Sequence, residues 1–288
     1  MKVNLSRSAS FAVVFLVYVL AGLSGILTFN ALTFDLWLNL LIADIVATIV
    51  TFAFSLIFSN SSVYDPFWSV QPIVIGVALA LTCGVSSLGL IMLVVVCIWG
   101  VRLTLNWAYT FHGLGKYQDW RYVMLKEKTG KLYPIINFLG IHLFPTLVVY
   151  CAVLPMVYAI VFRLEANAFA VLCCALSLVA VIIQGVADFQ MHKFRKSKKS
   201  GFIREGLWKY SRHPNYLGEV MMWWGIGLGF VCIIPQQWYL LAGAIINTLM
   251  FLFVSIPMAD NHQARKGGFD DYKRQTRMLL PIKKWQKN

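Results

Sequence analysis

Charge is scarce in this chain. Only 13% of its 288 residues are Asp, Glu, Lys or Arg and 59% are apolar, against roughly 25% charged and 45–50% apolar in soluble domains. That shortage excludes a soluble globular protein. Acidic residues are the scarcer half, 12 against 25 Lys+Arg, which gives the net charge of +13. The excess cations sit in three polar stretches between apolar runs, so they imply contact with membrane lipids and no nucleic acid. Cysteine offers no framework either. Cys83, Cys97, Cys151, Cys173, Cys174 and Cys232 lie within or at the ends of apolar runs and lack metal-ligand spacing, so they read as packing residues and no metal is expected. No Pro/Gly/Ser-rich linker, internal repeat or low-complexity tract divides the sequence, apart from the basic run Lys193 to Lys199. The chain reads as a single integral membrane domain, residues 1–288.

What is abundant is apolar length. A bilayer core takes about 20 helical residues, and eight runs of that order fall near residues 9–29, 36–58, 67–83, 86–111, 135–162, 167–190, 214–234 and 237–258. The expected fold is an all-α polytopic membrane bundle of about eight helices; the third run, broken by Pro66 and Pro72, leaves seven possible. With eight spans, every Lys and Arg except Arg163 and the intramembrane Arg102 falls on one side. The positive-inside rule makes that side, with both termini, cytoplasmic, in a bacterial inner membrane or the endoplasmic reticulum. The first run is too long for a signal peptide and lacks a small-x-small exit, so it is read as a span.

Ionisable groups inside a membrane are costly and mark functional sites. Asp65, Arg102, Asn106, Gln184, Asp188 and Glu219 lie in or at the edges of the runs, and Asp260 and His262 just past the eighth. Most crowd toward the cytoplasmic ends, which implies a polar cavity opening there. Arg102 and Asn106, four apart, share a helix face. Asp44, alone on its helix, reads as readily as a structural partner of a buried donor as a catalytic group, and His142, without a charged neighbour at helical spacing, reads as structural.

The densest constellation spans residues 184–219. Gln184, Asp188, His192 and Arg195 or Lys196 recur every three to four residues and put amide, carboxylate, imidazole and cation on one helix face, a face suited to an adenosine ribose and its phosphates. Arg204, Tyr210 and then Arg212-His213-Pro214-Asn215-Tyr216-Leu217-Gly218-Glu219 follow. Proline fits the first turn of a helix, so one is expected to begin here, with free N–H groups and the Arg204 and Arg212 guanidinium groups forming an anion site. The alternative is that the basic run only touches lipid headgroups, which suits Lys198 and Lys199.

The segment from Gly206 to Glu219, Gly-Leu-Trp-Lys-Tyr-Ser-Arg-His-Pro-Asn-Tyr-Leu-Gly-Glu, resembles the signature of the steroid 5-alpha-reductase C-terminal family, and sterol C14 and delta-7 reductases carry a similar Arg-His-Pro-Asn-Tyr-x-Gly segment. The resemblance runs from about Asp65 to Pro281 and includes Asp65-Pro66-Phe67-Trp68-Ser69, Arg102-Leu103, Asp119-Trp120-Arg121-Tyr122 and Tyr272. It implies an NADPH-dependent membrane reductase of an activated carbon–carbon double bond. The cofactor cavity would face the cytoplasm and be formed by residues 184–219 and 258–281. Carried over by position, Asp188, Asn215 and His262 fall at cofactor-contacting places, and Gln184 stands where the steroid enzymes more often have Asn. The wider cofactor-binding set is Arg102, Asn106, Gln184, Asp188, Arg195, Lys196, Arg204, Tyr210, Arg212, His213, Asn215, Tyr216, Glu219, His262, Arg265 and Tyr272. Asp65 falls roughly where the steroid reductases place a substrate-polarising Glu. Its partner Tyr has no equivalent, because Trp99 occupies that place, and Tyr109 is the fallback donor. The first run is an extra span relative to those seven-helix enzymes.

The expected reaction is reduction of an enone-like steroid or other lipid with NADPH. Two rivals stand beside it: an S-adenosylmethionine-dependent methyltransferase of the isoprenylcysteine type, which shares an Arg-His-Pro-x-Tyr-x-Gly segment, and a non-enzymatic lipid-binding protein. The sequence leaves substrate and oligomeric state open.

Overall fold

The computed structural model describes residues 5–115, 118–197 and 200–281. Lys198 and Lys199, assigned above to lipid headgroups, lie outside them. The described residues form helices and no strand; a parallel bridge joins Ser211 to Arg277. The longer helices are α1 (Arg7–Ala31), α2 (Leu36–Ile57), α3 (Phe67–Cys83), α4 (Ser87–Thr110), α5 (Trp120–Thr129), the single turn α6 (Tyr133–Ile136), α7 (Phe144–Val161), α8 (Ala168–Lys196), α9 (Pro214–Val231), α10 (Ala242–Met250), α11 (Ile256–Gln263) and α12 (Phe269–Gln275). Two π-helical segments, Asn137–Leu143 and Phe251–Ser255, lie in the runs that end in α7 and α11.

The apolar runs became helices with the expected ends, set by local chemistry. Ser6 and Asn167 cap α1 and α8 by accepting from the N–H groups of Ala9 and Ala170 at 3.2 and 2.8 Å. Pro214 stands in the first turn of α9, as its missing donor and fixed φ require. Among the described residues, seven helical stretches are long and apolar enough to cross a membrane, the architecture of a polytopic helical bundle. The expected seventh run is the exception. It forms α9, but the polar opening with Asn215 and Glu219 leaves those 18 residues short of the apolarity of the others.

The chain forms two compact units interleaved in sequence. The first comprises residues 1–78 and 100–150, the second residues 79–99 and 151–288. In the first, α1 packs along α2. The second is organised by the close approach of α8 and α9. A methyl group on Gly218 would lie 2.6 Å from the Ala180 carbonyl oxygen, and one on Gly225 2.7 Å from that of Cys173. Both glycines therefore serve backbone contact, the usual way membrane helices gain packing without a hydrophobic drive.

Candidate functional site

The second unit carries most of the sequence-predicted residues. On α8, Gln184 is buried, Asp188 and His192 are half-buried, and Arg195 and Lys196 are exposed. The single polar face therefore leads outward from the core as its spacing predicts. Gln184 donates to Glu219 Oε2 at 3.0 Å, Trp99 Nε1 to the same oxygen at 2.7 Å, and Trp223 Nε1 to Oε1 at 2.9 Å. Glu219, a buried carboxylate in α9, is thus held by two indoles and an amide. Three N–H donors converge on this carboxylate.

The Arg-His-Pro step folds around a residue the sequence reading left outside its site. Asp260 on α11 takes Arg212 Nη2 on Oδ2 at 2.9 Å and His213 Nε2 on Oδ1 at 2.9 Å, with all three side chains buried. Arg212 Nη1 also donates to the Thr276 carbonyl at 2.6 Å, and the Arg212 N–H to the Arg277 carbonyl at 3.0 Å. A guanidinium expected to face pyrophosphate is therefore spent on a buried carboxylate and on the chain after α12. Tyr272, also buried, donates its hydroxyl to the Trp208 carbonyl. Burial pushes the Tyr272 phenol well above its ordinary pKa, so it stays a donor throughout the physiological range. Arg204 lies over the Phe202 ring, 4.5 Å from its centroid, and donates to the Gly268 carbonyl.

Asn215, in the first turn of α9, has its Oδ1 buried with no partner among the described residues, and so has Gln263 at its Oε1. Buried polar atoms are rarely left so. Tyr216 stacks on His213 with centroids 5.2 Å apart and planes within 5°, and its ring meets Phe251 at 4.7 Å. Arg265 and Tyr210 are exposed, and His262 is half-buried.

The first unit holds the expected catalytic residues. The Tyr122 hydroxyl, in the first turn of α5, donates to Asp65 Oδ1 at 2.5 Å. Asp119 anchors that turn by accepting from the Arg121 N–H at 2.9 Å and holding the Arg121 guanidinium at 2.8 Å. Asp65 thus has a tyrosine partner, Tyr122, that the sequence reading did not assign to it. The signal was available, since Tyr122 closes the Asp119-Trp120-Arg121-Tyr122 segment. Tyr109 on α4 is exposed. Arg102 and Asn106 lie half-buried on the same helix. Asp44 accepts from Gln71 Nε2 at 2.7 Å, and His142 bonds the Asn137 carbonyl through Nδ1 at 3.0 Å.

Residues 51–276 match a single family. The chain belongs to the DUF1295 family. Its description is that of proteins of unknown function, and the matched residues include both Asp65 and Tyr272 while leaving out α1. A fission yeast relative, the uncharacterized protein C594.04c of Schizosaccharomyces pombe, is 25% identical over 195 residues. The alignment covers 57% of this chain and 56% of the relative, so the chain spans about half the length of the curated protein it matches. No solved structure matches the chain. Within this DUF1295 member, the residues that sequence reasoning missed are Tyr122 and Asp260, together with the indoles of Trp99 and Trp223. Tyr122, Asp260 and Trp99 are long-range partners, of which sequence spacing carries no sign, whereas Trp223 stands one helical turn from Glu219.

Proposed function

We propose that the protein is a membrane reductase of the steroid 5-alpha-reductase type, using NADPH to reduce an activated double bond conjugated to a carbonyl in a lipid. The observation that carries this reading is the Tyr122–Asp65 pair at 2.5 Å. A phenol and a carboxyl sharing a hydrogen bond form a proton-holding group suited to the carbonyl oxygen of an enone, where negative charge develops as the double bond is reduced. The dinucleotide reading is supported by the unpartnered Asn215 Oδ1 and Gln263 Oε1, by the aromatic stack of His213 and Tyr216, and by the exposed cations Arg195, Lys196 and Arg265. Asn215, Asp188 and Gln263 would hold neutral groups of the nucleotide, and the cations its phosphates. Bound NADPH would supply the hydride. Arg212, His213 and Asp260 would act by fixing the start of α9 and so presenting Asn215. Both termini would face the cytoplasm, where the cofactor is found.

Thermal stabilisation of the purified full chain tests the assignment. NADPH is expected to raise the unfolding temperature more than NADH at equal concentration, since the surplus of cations suits a 2′-phosphate. Stabilisation by S-adenosylmethionine and not by NADPH would replace this reading with the methyltransferase one.

A further inference from the structure

The Tyr122–Asp65 contact joins two segments 57 residues apart, and a second contact of the same offset stands beside it. There the Asp119 N–H donates to Ser62 Oγ at 3.2 Å. Ser62 is fully buried in the turn Ser61–Val63 just before Asp65, and its carbonyl accepts the Asp65 N–H at 3.4 Å. Asp119 caps α5, and its carbonyl accepts the Tyr122 N–H at 3.0 Å. Each member of the proton-holding pair is thus tied through its own backbone to one member of the neighbouring contact. A serine hydroxyl has one proton to donate. Here an N–H already takes an acceptor site of Ser62, so the hydroxyl proton is left to point elsewhere, and the Asp65 carboxyl lies within its hydrogen-bonding reach. Two hydroxyls therefore converge on one carboxyl, Tyr122 from α5 and Ser62 from the adjoining turn. A carboxyl held at one point still swings about a broad torsion, whereas one held at two points does not.

We propose that Ser62 is a positioning residue for the reduction, which turns the Asp65 carboxyl into line with the Tyr122 phenol and ties the Asp65 turn to the start of α5. This inference rests on the reductase reading above and adds to it the residue that keeps the pair assembled. When the phenol gives its proton to a carbonyl oxygen, the protonated carboxyl replaces it across the Asp65–Tyr122 hydrogen bond, leaving a carboxylate that water reprotonates. A carboxyl free to rotate spends part of its time out of that alignment, and a misplacement of about 1 Å is enough to slow a reaction by up to about 100-fold.

Two readouts on the full chain in lipid nanodiscs test it. The first needs no cofactor: the infrared C–O stretching band of the Tyr122 phenol, identified as the band lost in Tyr122→Phe, reports the hydrogen bond to Asp65. The second is single-turnover reduction by NADPH of cholestenone and of a linear-chain enone lipid. Ser62→Ala is expected to shift the band and to slow reduction about tenfold or more, with enone and NADPH affinities within about twofold of the unmodified protein. Ser62→Thr, which restores a hydroxyl, should return both readouts to near their original values. Ser62→Cys, similar in size and only a weak donor, is expected to behave as the alanine variant and takes its place if that variant does not fold. A serine that served packing alone would leave band and rate unchanged in the alanine and cysteine variants, and that result overturns the inference. So does a shifted band with an unaltered rate, the reductase reading standing in either case. If the unmodified chain reduces neither enone, both fall.

Discussion

Replacing Glu219 by glutamine changes one atom and tests how the second unit is held together. In the carboxylate, Oε2 accepts from Trp99 and Gln184 and Oε1 from Trp223, at 2.7, 3.0 and 2.9 Å. Glutamine has one acceptor oxygen and one NH2 group. Its better orientation keeps the oxygen in the Oε2 place, so two bonds survive but lose their charge, at about 1 kcal/mol each. The NH2 group then faces the indole N–H of Trp223, two donors with no acceptor between them. Stranding a buried donor costs about 1–3 kcal/mol, so the expected destabilisation is about 3–5 kcal/mol. Reversible unfolding of the purified protein in mixed detergent micelles would measure it. A second substitution makes the reasoning specific: Trp223→Phe removes the opposing N–H, so in the Glu219→Gln background it should cost less than in the unmodified protein, with a coupling of about 1–3 kcal/mol. If Glu219→Gln is neutral, or the two changes add within about 0.5 kcal/mol, the three-donor account of this carboxylate is wrong.

Other substitutions separate the roles. Asp65→Asn and Tyr122→Phe should leave NADPH affinity within about twofold while slowing single-turnover reduction of an enone lipid about 100-fold or more; full turnover in both variants would remove the pair from the chemistry. Asp260→Asn leaves the buried Arg212 without its charge partner, so unfolding should become easier by about 3 kcal/mol, and a variant as stable as the parent would show that the clamp contributes nothing. Asn215→Ala removes a carboxamide oxygen that has no internal partner among the described residues, so it should weaken NADPH binding about tenfold with little change in stability; the reverse pattern would make Asn215 a structural residue. Single cysteines at positions 126 and 198 should react with a membrane-impermeant maleimide from the cytoplasm and one at position 163 only from the other side, and a basic stretch reacting from outside would break the eight-span reading.

The helices were legible because one property, apolar length against the thickness of a bilayer, decides them. The third run shows how robust that property is, since α3 spans Phe67–Cys83 with Pro72 inside it. What composition could not supply was the status of α9. The residues that make this stretch interesting, Asn215 and Glu219, are the ones that lower its apolarity, so a functional helix in a membrane is the kind that hydropathy marks least clearly. The two π-helical segments were invisible for a related reason: an extra residue in a turn leaves the apolar composition of the run unchanged.

The polar face of α8 was legible in the sequence, and the pairings around it were not. Spacing on α8 places Gln184, Asp188 and His192 on one face because the helix period is fixed, and the structure keeps that order. No such rule says who takes the donors of Arg212. From the sequence alone, an arginine at the head of a helix expected to bind phosphate reads as a phosphate ligand. In the fold, Asp260 reaches it from a helix that begins more than forty residues later. A buried guanidinium must be neutralised by something, and two candidates compete, an anion that arrives and a carboxylate that is always present. The resident carboxylate decides the matter locally: it satisfies Arg212 before any ligand binds. The nucleotide site proposed at this helix start would therefore have to draw its charge from cations that the core leaves exposed, and its specificity from amides that the core leaves unpaired.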